Sequence, residues 1–196
     1  MISMLLGVIM GLPIALIRFY RVPFFSTLLS ILITSFRGIP IVIFYLVFYI
    51  LFSEFGRVPV SFVAIVALSF PATVRMSEAF RGALESVNKN QFDAAYSVGH
   101  SGYHVLVRIV LPQIIPVILP FTGNICIQML KSVPIASIIG MNDILNTALL
   151  EATINYRYIE SYFAAGVIFW GLFILIEKSF LLIEAHFKKQ MYRGVA

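Results

Sequence analysis

Hydrophobic residues run through this chain in long blocks rather than in alternation, and five of those blocks approach the length of a membrane-crossing helix. A crossing needs roughly 20 apolar residues. Residues 2–17 form the first block, which is short at 16 residues. The second lies within residues 24–52 and is interrupted by Arg37-Gly38-Ile39-Pro40. The third, residues 58–74, carries Pro71, where a bend is expected. In the fourth, residues 113–130, Pro116 and Pro120 accompany the polar Asn124 and Gln128. That mixture predicts a broken or kinked helix facing protein or water rather than lipid. The fifth, residues 158–183, contains Trp170 and is flanked by Glu160 and Glu177.

The longest polar interruption is residues 75–108. Within it Asn90 is placed to cap a short helix, with Asp93 three residues later as the reciprocal acid of a capping box. Phe92, Ala95, Tyr96 and Gly99 then share one side at helical spacing, while Gln91, Asp93 and Ser97 face water. Gly99 suits the left-handed position that ends such a helix. Ser101 is placed to cap a second helix running through Val105 and Ile109 until Pro112 stops it. A compact helix–turn–helix unit on the membrane surface follows. It could be a mere solvated connection or an amphipathic helix on lipid. Residues 86–101 hold one lysine and one acid and no basic stripe, which favours a protein partner receiving a short helix in a groove.

Composition agrees with the blocks: 60% of the 196 residues are hydrophobic and 12% charged, against roughly 45–50% and about 25% in soluble domains. The formal charge of +5 is scattered rather than gathered in a patch, so nucleic acid is not an expected partner. Arginine and lysine divide unevenly between the two sides. Arg18, Arg21, Arg75, Arg81, Lys89, Arg108, Lys178, Lys188, Lys189 and Arg193 fall with the polar middle, and only Arg57 and Arg157 fall opposite. The bias predicts a cytoplasmic middle and C-terminus with the N-terminus outside. A single cysteine, Cys126, excludes an intrachain disulfide. No signal peptide is evident in the first apolar run. Five spans without an internal repeat lack the paired halves common in secondary carriers.

Ionisable or polar groups at membrane depth are costly and therefore candidates for function. Arg37 either braces the break in the second block or meets a solute. Asn124 and Gln128, one turn apart, either line a polar pathway or bond to a neighbouring helix. Glu151, between the fourth and fifth spans, could meet a cationic solute group, and Lys131 could snorkel to the interface. Glu78 and Arg81 are expected to pair with each other. His100 and His104 lie four apart with no further ligand near, the pattern of surface histidines rather than of a metal site. No serine has a credible triad partner, so no catalytic residue is expected.

The polar stretch carries a recognisable spacing: Asp93-Ala94-Ala95, three residues, Gly99, nine residues, then Ile109-x-Leu111-Pro112. This resembles the cytoplasmic-loop signature of ATP-binding-cassette importer permeases, with Asp at a position where the family usually has Glu. The segments "SFRGIP" (35–40), "SEAFRGALESVNKNQFDAA" (77–95) and "LKSVPIASIIGMNDIL" (130–145) are similar to those of the polar amino acid uptake subfamily. The likeness extends over about residues 2–189. It departs at Ser132-Val133-Pro134, where a more polar run is usual, and at the start, where roughly 20 residues of the family's first helix are missing before Met1.

The resemblance implies a type I importer permease fold, an all-α membrane protein of about five spans, with residues 1–196 forming one domain and a coupling loop over about 82–108. It implies a bacterial cytoplasmic membrane location, a second permease subunit, identical or not, partner ATPase subunits, and an extracytoplasmic solute-binding protein delivering a polar amino acid. Asp93, Ala94, Ala95 and Gly99 would couple to the ATPase. Arg37, Asn124, Gln128 and Glu151 are the candidates for the pathway. The sequence holds no Gly-rich loop ending in Gly-Lys-Ser/Thr, so ATP and Mg would be held by the partner, with no cofactor on this chain. The competing reading is a channel or ion-coupled carrier for small polar solutes, surrounded in either case by membrane lipid.

Overall fold

The computed structural model describes residues 1–56 and 58–193, and every regular element in it is helical. Arg57, counted above with the opposite side, lies outside the described residues, as do the side chains of Lys188 and Arg193. The elements in chain order are α1 (Ile2–Phe19), α2 (Phe25–Arg37), α3 (Ile41–Ser53), α4 (Val60–Glu85), α5 (Lys89–Ser97), α6 (Gly102–His104), a π-helical segment (Val105–Val110), α7 (Leu111–Ser132), a 3-10 segment (Val133–Ile139), α8 (Ile144–Asn155) and α9 (Tyr158–Arg193).

The pairing of α1 with α4 organises the molecule. Ser3, Gly7, Gly11 and Ala15 recur every fourth residue, and all four are buried. Added Cβ atoms on Gly7 and Gly11 would come within 2.8 and 2.9 Å of the Ala72 and Met76 Cβ atoms. Small residues thus let the two backbones approach, as in close helix pairs within lipid, where there is no hydrophobic force to hold them. Ser3 Oγ donates to the Ile65 carbonyl at 3.0 Å, and Arg18 pairs with Glu78 at the other end. Early residues of α1 meet early residues of α4 and late meet late, so the two helices run parallel.

Parallel α1 and α4 require the chain to recross between them. Neither α2 nor α3, of 13 residues each, is long enough alone, since 13 residues rise only about 20 Å against a core of about 30 Å. Together they form one span bent by 107° at Gly38–Pro40. The break expected there is a sharp elbow. An aromatic cluster on its inner side packs it to α4, with Phe36, Phe44 and Phe48 ring centroids 5.9, 6.1 and 5.0 Å from Phe70.

Three expectations change in the structure. The third span does not end near Val74: α4 is one helix through Pro71 to Glu85, so the polar stretch begins on a helix rather than in a loop. Pro112 does not stop the helix begun at Gly102, which continues through the π segment and α7 to give one helical run of 38 residues, Gly102–Ile139. The wider, i→i+5 turn of the π segment leaves room for the proline ring against the preceding turn. Gln113 Nε2 donates to the Ile109 carbonyl at 2.8 Å, satisfying an acceptor where the register shifts. The fourth span is therefore unbroken across Pro116 and Pro120, and it changes pitch only at Ser132. α9 packs antiparallel against α7, with Phe180 over Gly123, and the first and last described elements start and finish at opposite ends of the bundle.

Candidate functional site

α5 stands at the end of the bundle where Arg18 pairs with Glu78. Its N-cap is Asn88, not Asn90: the Asn88 Oδ1 accepts from the Asn90 backbone N–H at 2.9 Å. The first turn contains no acid, so Asp93 does not complete a capping box. α4 ends at Glu85, and the extended backbone that a cap requires is reached at Asn88.

The other end of α5 forms as the sequence indicates. Gly99 has φ +81°. The Gly99 N–H donates to the Tyr96 carbonyl at 3.0 Å and the His100 N–H to the Ala95 carbonyl at 3.2 Å, the two bonds of a Schellman closure. Ser101 then caps the next helix, its Oγ accepting from the His104 N–H at 3.4 Å. The His100 and His104 rings stack, with centroids 4.3 Å apart.

Two faces of α5 have different work. Ala95 is buried, and the Phe92 ring lies 5.9 Å from that of Phe19 at the end of α1. Tyr96 neighbours Tyr20; burial first, and then the Tyr96 hydroxyl, raise the Tyr20 phenol above its usual pKa. These contacts seat α5 on the bundle. On the outer side Asp93, Ala94, Ser97 and Gly99 are exposed, and so are the apolar Val98 and Tyr103, at 72% and 77%. The outward surface is small, semi-apolar and carries one carboxylate. Of the four residues singled out from the sequence, Asp93, Ala94 and Gly99 face outward, whereas Ala95 anchors the helix inward.

Beneath this unit lies an ion-pair chain that the sequence indicates only in part. Glu78 and Arg81 do pair, at 3.3 Å, but from neighbouring turns of α4. Arg81 also holds Glu85 at 2.6 Å, and Glu78 receives Arg18 from α1. Arg18 further donates from Nε to Ser30 Oγ at 3.1 Å, tying in α2. Arg18 continues the four-residue spacing of Leu6, Met10 and Ile14, a signal that is present in the sequence but points to no partner.

The pathway candidates do not converge within this chain. Asn124 and Gln128 are both exposed on one face of α7, away from the chain's own core. Glu151 sits on α8 in a groove against α9, a cavity of about 590 Å³ that it shares with Asn142, Asp143 and Thr147, and its Oε2 accepts from Asn155 Nδ2 at 3.1 Å. Lys131 lines a separate cavity beside Trp170. Arg37, at the end of α2, opens on neither; it shares a pocket with Arg18, Glu78 and Arg81.

Known proteins share this architecture. The family described as "Binding-protein-dependent transport system inner membrane component" matches residues 3–189. The probable amino-acid permease protein YxeN of Bacillus subtilis (strain 168) is 33% identical over 177 residues, covering 88% of this chain and 79% of that protein. The L-cystine transport system permease protein TcyL of the same organism is 31% identical over 202 residues, covering 99% and 84%. Among solved structures, an amino acid ABC transporter crystallised with histidines superposes with a TM-score of 0.84 at 30% identity, covering 94% of this chain and 87% of that one. A methionine ABC transporter in an inward-facing conformation superposes at 0.79 with 19% identity, a likeness of fold.

Proposed function

The chain belongs to the family of binding-protein-dependent transport system inner-membrane components, and from that premise we propose that it carries a polar amino acid or close derivative across the bacterial cytoplasmic membrane. It works as the membrane subunit of an ATP-binding-cassette importer. Relatives named as amino-acid permeases, which match most of this chain, support the substrate class. ATP and Mg are bound by separate ATPase subunits, an external binding protein delivers the solute, and a second permease subunit completes the channel. The charge bias sets the N-terminus outside and the polar middle and C-terminus in the cytoplasm.

The observation that carries this reading is the two-faced α5. Its outer face, with Asp93, Ala94 and Val98, is available to a groove on the ATPase. Its inner face is locked to α1 through Phe92 and to the buried cluster through Ala95. The Schellman closure and the Ser101 cap leave only a few residues between α5 and the long run into α7. Closure of the ATPase pair on ATP therefore displaces α5 and the spans together, a rigid-body rocking between inward-open and outward-open states. Asn124 and Gln128, one turn apart on the exposed face of α7, offer hydrogen-bonding groups to a passing solute, with the Glu151 groove nearer the opposite membrane face.

Reconstitution of the permease with its ATPase and binding protein in proteoliposomes tests the reading. Uptake of labelled polar amino acids should require ATP and all partners. Uptake of equal rate without the ATPase would instead mark a carrier or channel.

A further inference from the structure

Two side-chain stripes lead from hydrocarbon to charge. Leu6, Met10, Ile14 and Arg18 follow at four-residue intervals on α1, and Val66, Phe70, Val74 and Glu78 do so on α4. Between these stripes, and closed on its third side by Leu29, Ile33 and Phe36 of α2, is a cavity of about 340 Å³. Its only hydroxyls, on Ser69 and Thr73, are already donated to the Ile65 and Ser69 carbonyls at 2.7 and 2.8 Å. The cavity offers a polar solute nothing to bind, and an alkyl chain fits it.

At Ile33 this apolar cavity meets a second, of about 460 Å³, lined by Arg18, Arg37, Glu78 and Arg81. At Arg18 and Arg81 the second meets a third, of about 380 Å³, which adds Arg21, Ser26, Ser30 and Glu85. Four arginines face two glutamates there. The glutamates are already engaged by Arg18 and Arg81. Arg21 and Arg37 make no ion pair among the described residues, and Arg81 Nε is buried without an acceptor. Arg37 lies in the pocket that meets the hydrocarbon cavity and Arg21 in the one beyond it, and this excess of guanidinium charge past the end of a hydrocarbon groove is complementary to an amphiphile with an anionic head.

We propose that the groove between α1, α2 and α4 binds an anionic phospholipid, its acyl chain along Leu6, Met10 and Ile14 and its phosphate in the adjoining pocket with Arg37, drawn there also by the charge of Arg21 in the pocket beyond. A zwitterionic lipid would bring an ammonium group toward the same arginines and bind less well. The inference depends only on the chain lying in a membrane, so it stands or falls apart from the transported solute.

The test is native mass spectrometry of the purified transporter complex titrated with phosphatidylglycerol or phosphatidylethanolamine of identical acyl chains. Two unpaired arginines predict retention of phosphatidylglycerol at least about tenfold above phosphatidylethanolamine. The R21Q/R37Q variant should lose most of that preference and R21K/R37K should keep it, since a point charge still attracts the phosphate. Equal retention of the two lipids, or an unchanged preference in R21Q/R37Q, overturns the proposal. Should the variants fail to assemble, photoreactive phosphatidylglycerol added to the wild-type complex decides the matter. Labelling of α1, α2 and α4 around Met10 and Ile33 supports the site. Labelling elsewhere only, cross-linking of a Met10→Cys variant to another protein segment, or full displacement of the lipid by millimolar inorganic phosphate argues against it.

Discussion

At Gly99 the backbone alone sets the constraint. With φ +81° and nothing within 4 Å of an added Cβ, a side chain meets open space but a strained conformation, which costs about 1–2 kcal/mol. G99V should therefore loosen the Schellman closure and weaken co-purification with the ATPase, while G99N, better tolerated in the left-handed region, should weaken it less. The cap gives a second contrast. N88A should destabilise α5 by about 1 kcal/mol, and N90A, whose side chain caps nothing, should be nearly neutral in thermal unfolding. Both asparagines fit the capping rule, so the sequence alone does not separate Asn88 from Asn90. The choice depends on where α4 ends, which is at Glu85.

At the scale of elements, the α1–α4 contact is the most sensitive to volume. G7L or G11L forces a branched side chain into the α4 backbone, and overpacking of this kind costs about 1–3 kcal/mol or more; the thermal midpoint of the purified complex should fall accordingly. Removal of charge is graded by position. E78Q removes the charge that faces both Arg18 and Arg81 and turns one of its two accepting oxygens into a donor, whereas E85Q affects a single, more exposed pair, its carboxylate side chain 51% accessible against 25% for Glu78. Hydrogen bonds to charged groups contribute about 1.5–3 kcal/mol, so E78Q should lower the midpoint clearly and E85Q little. The spans themselves are legible from hydropathy, and the Gly38–Pro40 elbow from its breakers. The helix through Pro112 is not, because a proline rule reads a stop where a π segment and the Gln113 side chain accommodate the ring.

For the whole molecule, five crossings are countable in the sequence, but the parallel pairing of α1 with α4 and the joining of three arginine-lined helices at one end are not. Those are products of tertiary packing between residues about 60 positions apart. The loop spacing by itself points to the surface at residues 93–99, and the fold divides that surface into an anchoring side and an outward side. The direct test of the account is substrate-stimulated ATP hydrolysis by the reconstituted complex of D93K and of G99V, compared with co-purification of the ATPase. The account predicts that both variants lose stimulated hydrolysis and retain less ATPase while the permease stays folded. Unchanged stimulation together with unchanged co-purification in both would contradict it.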